Sequence, residues 1–268
     1  MTDPDVPRTG RIRRPPSPFR TVTVIATAAL GPRLRRVTLA GDALVGFPVP
    51  LPGASVRMLV PTPGSPELVL PAWTGNEFLL PDGSRPPIRT FTPRRVDPDA
   101  GELDVDVVLH GGGVASEWAR VAAPGAVAAI SGPGRGYAVD PDASAFLLAG
   151  DESALPAIAQ LLEVLPHDAT VAVHVEVAAP EGRSPLPAHP GATVTWHDLA
   201  DPADPGSAIV TAVRSATIPD GARVWVAGEA ASVQRVRKHL FEELGIPRAQ
   251  CTVRGYWKRG RSGDGEDD

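Results

Sequence analysis

A single cysteine, Cys251, in a chain of 268 residues excludes an internal disulfide and a cysteine metal cluster. A lone thiol reads first as small filler in the core or at the surface. No apolar run approaches the roughly 20 residues that a membrane-crossing helix needs; Ala145-Phe-Leu-Leu-Ala149 and Val171-Ala-Val-His-Val175 are far shorter. The start, Thr2-Asp3-Pro4, lacks the charged-then-apolar order of a secretion signal, so cytoplasmic residence without membrane association is the expectation. No Gly-x-Ser-x-Gly elbow surrounds Ser116 or Ser153, which argues against a hydrolase. His174 and Glu176 share a strand face, and His167 and His189 could be added to them. No His-x-x-x-His or dense carboxylate spacing supports a metal site, so none is expected.

What is present is enough for a sizeable core. The chain is 43% hydrophobic and long enough for two modest domains. Its net charge of −5 hides an uneven distribution. Arg8, Arg11, Arg13, Arg14 and Arg20 crowd a proline-rich start, and Asp264, Glu266, Asp267 and Asp268 end the chain. Residues 1–17 are expected to form a flexible basic arm and residues 261–268 an acidic tail. Without aromatic interleaving or a basic core domain, the arm does not predict a nucleic-acid partner. The 31 prolines and 27 glycines are scattered among apolar segments without a fixed repeat and mark turns.

The texture changes along the chain. From Thr21 to about Val139, short strand-like runs, Val22 to Thr27, Leu34 to Leu39, Val56 to Val60, Ile88 to Thr92, Leu103 to Leu109 and Val127 to Ile130, are cut by Pro and Gly clusters. That spacing predicts a small antiparallel β-barrel. From Ala145 onward, strands (Phe146 to Ala149, Val171 to Val177, Val194 to Trp196, Val224 to Ala227) alternate with helices (Leu155 to Leu165, Ile209 to Ser215, Ser232 to Leu244), as in a parallel α/β sheet. The predicted fold class is thus two-domain, β followed by α/β, with domains at 18–140 and 141–260. The polar joint Asp140-Pro-Asp142 divides them, and a cleft is expected between them.

The most informative stretch is Arg89-Thr-Phe-Thr-Pro-Arg94. Period-two geometry places Arg89, Phe91 and Pro93 on one face and Thr90, Thr92 and Arg94 on the other, so a strand here presents a flat ring and polar groups to different parts of one ligand. A turn at Asp97-Pro-Asp-Ala-Gly101 leads into an antiparallel neighbour that ends in Asp106-Val-Val-Leu-His110. Three glycines follow, and Ala115 or Ser116 opens a short helix through Trp118. Free amides at such a helix start attract phosphate. In the second half, Ala149-Gly-Asp-Glu-Ser-Ala-Leu-Pro156 sits where the first strand meets its helix, the natural dinucleotide position in a parallel sheet, although it is not Gly-x-Gly-x-x-Gly. A second strand end, Val226-Ala-Gly-Glu-Ala-Ala-Ser232, has the same character.

In this order, the motifs resemble the siderophore-interacting protein family, flavin-dependent ferric-siderophore reductases of the ferredoxin-reductase-like superfamily. The similarity extends from about Phe19 to Gly260 and includes the closing Arg254-Gly-Tyr-Trp-Lys-Arg-Gly260. The chain departs from the family pattern at Phe91, where relatives carry tyrosine, at Val114, where they carry proline, and at Ser153 in place of threonine. The resemblance implies an FAD-binding barrel and an NAD(P)H-binding α/β domain, with electrons passing from NADH or NADPH through FAD to Fe(III) in a ferric siderophore. It implies Arg89 on the FAD diphosphate, Thr90 and Phe91 along the flavin, and Thr92 at the reactive ring edge as the catalytic residue. Asp106, His110, Gly111, Ala115, Ser116 and Trp118 would hold the rest of FAD. Gly150, Asp151, Glu152, Gly228, Glu229 and Trp257 would form the remaining cofactor contacts. Arg57, Arg135 and Lys258 would meet the siderophore, and the protein is expected to be a monomer.

Other readings remain open on the residues alone. One is a flavin or ferredoxin-reductase-like enzyme with another acceptor, and a second is a siderophore-binding module without turnover. A nucleic-acid protein using the basic arm is a third. Arg183, Arg235 and Arg237 could meet a 2′-phosphate or serve as surface arginines, so NADH and NADPH are not distinguished.

Overall fold

The computed structural model describes residues 15–62 and 67–260; most of the expected basic arm and all of the acidic tail lie outside them. The first part of the chain supplies β1 (Arg20–Gly31), β2 (Leu34–Ala40), β3 (Val56–Leu59), the short pair β4 (Ala72–Trp73) and β5 (Phe78–Leu79), β6 (Ile88–Phe91), β7 (Pro93–Asp97), β8 (Glu102–Val108), helix α1 (Val114–Val121) and β9 (Val127–Ser131). Seven of these strands form one antiparallel sheet in the order β6-β3-β9-β1-β2-β8-β7. Its two edge strands are consecutive in the chain and separated only by Thr92. The sheet therefore curls on itself, and Thr92 sits on the seam where its edges meet.

Alternation along the strands builds the interior. Val22, Val24, Val37, Leu39, Val56, Met58, Leu103, Val105, Val107, Ala128 and Ile130 are all buried in one cluster, and Ala115 and Ala119 of α1 close it. The sequence pattern predicts one strand over Ile88 to Thr92 beside the strand of Leu103. Instead β6 pairs with β3, and it is β7 that pairs with β8. Closing a curled sheet requires one stretch to leave one edge and join the other, and no local periodicity reports that handover. A register shift between Pro93 and Arg95 follows, and Arg94 reaches out to Glu163.

The second part supplies β10 (Ala145–Asp151), α2 (Leu155–Val164), β11 (Thr170–Val177), β12 (Ala192–Asp198), α3 (Ser207–Ser215), β13 (Arg223–Glu229), α4 (Ala230–Lys238) and β14 (Cys251–Trp257). All four pairings in the order β12-β11-β10-β13-β14 are parallel. In the central strands β10 and β13, odd and even positions feed two different cores. Phe146, Leu148, Val171, Val173 and Val175 pack with α2, while Leu147, Ala149, Val224 and Val226 pack with α3 and α4. Helices thus cover both faces, which is why these strands read as continuous apolar runs. The chain moves outward from β10 to β12 and returns to β13 beside β10, so the topological switch lies between the ends of β10 and β13, at Asp151 and Glu229. The closing motif is the fifth strand of this sheet, an element the helix–strand alternation had not assigned.

Cys251 opens β14, partly exposed. Burial pushes its thiol from the ordinary 9.0 to about 11. Its thiolate fraction near neutral pH is then about a hundredfold lower than that of an unperturbed thiol. A disulfide reagent at pH 8 is expected to modify the native protein about a hundredfold more slowly than the urea-unfolded chain. Equal rates would refute this.

Candidate functional site

The motif strand lies at the junction of the two sheets. Cross-strand register puts Arg89 opposite Met58 and Phe91 opposite Val56, on the face that turns toward the barrel interior. Phe91 packs partly against that core. The Arg89 Nη1 donates to the Ile88 carbonyl at 2.7 Å, and the guanidinium makes no ion pair among the described residues. Thr90 is exposed and stands opposite Arg57 on the other face.

Beyond β8 the chain passes through Gly112 and Gly113 at φ 76° and 103° before entering α1. Side chains other than glycine's are strained there. Gly111 and Gly112 face open space. No side chain caps α1, so its first amides remain available. Ala115 and Ser116 are buried, and the Ser116 hydroxyl bridges the His110 backbone N–H and carbonyl at 3.0 Å each. These two residues can therefore reach a ligand only through their backbone N–H groups. Trp118 packs partly against the barrel core and His110 is exposed. Asp106 is held bidentately by Arg36 at 2.7 and 2.8 Å, and the same face carries Asp104 with Thr38 and Arg95. An unpaired arginine, a positive-φ glycine turn and an uncapped helix start have the donor chemistry that a dinucleotide diphosphate requires, so these residues fit FAD.

The other half presents a different picture. Asp151 accepts from Ser153 N at 2.9 Å and from its hydroxyl at 2.5 Å, from Glu229 N at 3.0 Å and from Trp257 Nε1 at 2.7 Å. Burial pushes the Asp151 carboxyl up, and the bonds from Ser153 and Trp257 pull it down. Glu229 accepts from Ala231 N at 2.6 Å and Ser232 N at 3.0 Å, and its other oxygen from Arg259 N at 3.2 Å. Glu152 is gripped by Arg33 through two bonds of 2.8 Å and also accepts from Ala178 N at 3.3 Å. Gly150 is a packing position: a Cβ there would lie 2.5 Å from both Ala154 Cβ and the Ala227 carbonyl. Gly228, at φ 154°, presses on the Asp151 carboxylate in the same way. Trp257 is 40% exposed at the edge of the junction.

Several residues that hold the halves together carried no role in the sequence reading. Gln160 accepts from Gly53 N at 3.0 Å and donates to the Pro93 carbonyl at 2.7 Å. Arg94 pairs with Glu163, and Arg254 donates to the carbonyls of Gly53, Arg135 and Gly136. The Tyr256 hydroxyl is buried beside Thr92 without a hydrogen bond of normal geometry, and its ring meets Trp225 edge-on at 6.2 Å. Burial raises its pKa, so it stays protonated. Thr92 itself is only 6% exposed. Arg57 is half-buried, while Arg135 and Lys258 are exposed; the Arg135 carbonyl accepts from Arg254 of β14, Lys258 follows β14, and none of the three makes an ion pair among the described residues. His174 Nδ1 lies 3.2 Å from His197 Nε2, and Glu176 accepts from Gly206 N and Ala208 N, which leaves no cluster of three metal ligands among the described residues.

Comparison with known proteins identifies the family. Residues 23–137 match the siderophore-interacting FAD-binding domain, and residues 143–260 match the siderophore-interacting protein family. An uncharacterized protein of Mycobacterium tuberculosis is 38% identical over 91% of this chain and 92% of its own. The ferric vibriobactin reductase ViuB of Vibrio cholerae is 34% identical over 85% of each chain. The crystal structure of a siderophore utilization protein from T. fusca superposes with a TM-score of 0.82 at 33% identity, covering 95% of this chain and 98% of that one. With both halves matched and relatives of this identity spanning nearly its full length, the chain belongs to the siderophore-interacting protein family.

Proposed function

We propose that the protein is a cytoplasmic FAD-dependent ferric-siderophore reductase drawing electrons from NADH or NADPH. The observation that carries this reading is the barrel seam: Arg89 and Phe91 lie on β6 and Thr92 follows at the seam, while the uncapped start of α1 follows β8, the partner of β7. Arg89 and the amides of Val114, Ala115 and Ser116 would hold the FAD diphosphate, and Phe91 would pack along the ring system. Phenylalanine lacks the hydroxyl of the usual tyrosine, so this contact is one of packing alone. Thr92 would hold the reactive edge of the ring by a hydrogen bond. Bound FAD supplies the step from a two-electron donor to a one-electron acceptor. Fe(III) is the cargo, and its reduction weakens the grip of hard oxygen ligands.

Arg57, Arg135 and Lys258 would offer positive charge to an anionic chelate. Arg57→Ala combined with Lys258→Ala is expected to raise KM for an anionic ferric siderophore about tenfold, with FAD content unchanged, since two solvent-accessible charge contacts contribute about 0.7 kcal/mol each. Unchanged kinetics would remove these cations from the mechanism. The direct test of the function is anaerobic titration of the purified protein with both nicotinamides, followed by a panel of ferric siderophores. Colourless protein that takes up no added FAD would sink the reading.

A further inference from the structure

The four helices differ at their N-termini. α1 is uncapped, whereas each start at the carboxyl edge of the parallel sheet already holds a carboxylate from a strand end. Asp151, ending β10, takes the Ser153 amide of the turn that leads into α2. Glu176, near the end of β11, takes Gly206 N at 2.6 Å and Ala208 N at 2.9 Å at the start of α3. Glu229, ending β13, takes Ala231 N and Ser232 N of α4. These are the amides that a doubly wound sheet ordinarily offers to a dinucleotide diphosphate.

The space is filled as well. A Cβ on Gly206 would lie 2.1 Å from the Ser232 hydroxyl, so the starts of α3 and α4 are pressed together. The cavity between Asp151, Gly206, Gly228, Glu229 and Ser232 measures about 10 Å³, room for one water. Trp257 Nε1 and Arg259 N bond to the remaining oxygens of Asp151 and Glu229. Nearby arginines are engaged too: Arg235 pairs with Asp204, Arg183 with Asp198, and Arg237 donates to the Val253 carbonyl.

We propose that Asp151, Glu176 and Glu229 are built-in anions that occupy the diphosphate positions of the α/β domain, so that the electron donor is recognised by its nicotinamide end alone. The inference rests on the nicotinamide-donor part of the proposed function and deepens it. A second anion brought to this edge would meet three carboxylates that already hold the amides of Ser153, Gly206, Ala208, Ala231 and Ser232, and a 2′-phosphate would find Arg183, Arg235 and Arg237 already partnered. NADH, NADPH and a donor that lacks the adenylate half should therefore serve alike.

The test uses the FAD-loaded protein. ADP-ribose, which carries the diphosphate and adenosine without nicotinamide, is titrated calorimetrically. Flavin reduction is then timed with NADH, NADPH and reduced nicotinamide mononucleotide. The expected results are no ADP-ribose binding tighter than about 1 mM, and kcat/KM values for the three donors within about tenfold of each other, because only binding groups that the site uses change this ratio. A Kd below about 1 mM, or a loss of more than about tenfold on removing the adenylate half, overturns the inference. If no nicotinamide reduces the flavin, the donor reading fails by itself, and the ADP-ribose titration still decides whether the domain holds a diphosphate.

Discussion

Arg89→Ala is expected to leave a protein that purifies without flavin and takes up added FAD about a hundredfold more weakly than the wild type. Two charge-assisted hydrogen bonds to a diphosphate account for about 3 kcal/mol, which is that factor. The physical basis is the state of the guanidinium. Arg33, Arg36, Arg94, Arg95, Arg214 and Arg235 each face a carboxylate, yet among the described residues Arg89 has only the neighbouring Ile88 carbonyl. An arginine held on a strand without a counter-ion keeps its donors for an incoming anion. The loss should be specific to binding, because removing one local bond to Ile88 costs the fold little. Quenching of FAD fluorescence on titration with apoprotein measures the affinity, and thermal unfolding of the same samples checks the fold. A variant that binds FAD within about threefold of the wild type would show that the diphosphate lies elsewhere.

Arg33→Ala is expected to cause a large loss of stability. Arg33 stands in the turn between β1 and β2 and reaches across 119 positions of sequence to Glu152 at the entry to α2. The Glu152 side chain is 10% exposed and that of Arg33 25%. Removing the cation leaves a nearly buried carboxylate with only the Ala178 amide as partner. Breaking such a pair costs about 3–5 kcal/mol, and partial exposure of Arg33 puts the expectation at the lower end, about 3 kcal/mol. For a chain of this size that lowers Tm by roughly 6–12 °C. Arg33→Met paired with Glu152→Leu should regain part of the loss, because the buried charge is then gone as well. A Tm within about 2 °C of the wild type for Arg33→Ala would mean that the Glu152 charge is relieved by water. The pair also fixes how the barrel meets the α/β half, so flavin reduction by a nicotinamide should slow even at temperatures where the variant is folded.

Much of the fold was legible because the two halves have different periods. Alternating Leu103, Val105 and Val107 announce a strand with one buried face, and the apolar run through Leu147 and Leu148 announces a strand buried on both. The same alternation misleads about the other face of β8. Asp104 and Asp106 look like solvent positions and are only 5% and 7% exposed, because Thr38, Arg36 and Arg95 reach over them from neighbouring strands. Strand β14 was hidden for a related reason: Arg254, Gly255, Tyr256 and Trp257 do not make a uniformly apolar run, and the strand forms because β13 offers its free edge.

The sequence by itself determined the two-domain character of the chain, the order of its motifs and the chemistry available in them: a cation and an aromatic ring on one strand, a glycine turn before a helix, and acids at strand ends. Only the tertiary structure decided which of those groups remain free. Among the described residues, Arg89 and the amides of α1 have no partner of opposite charge, while Asp151, Glu152, Glu176 and Glu229 are each taken by donors from other segments. Hydrogen bonding and charge pairing act over a few ångströms of space without regard to distance along the chain. A motif can therefore state what a residue offers, and only packing shows whether the offer has already been accepted.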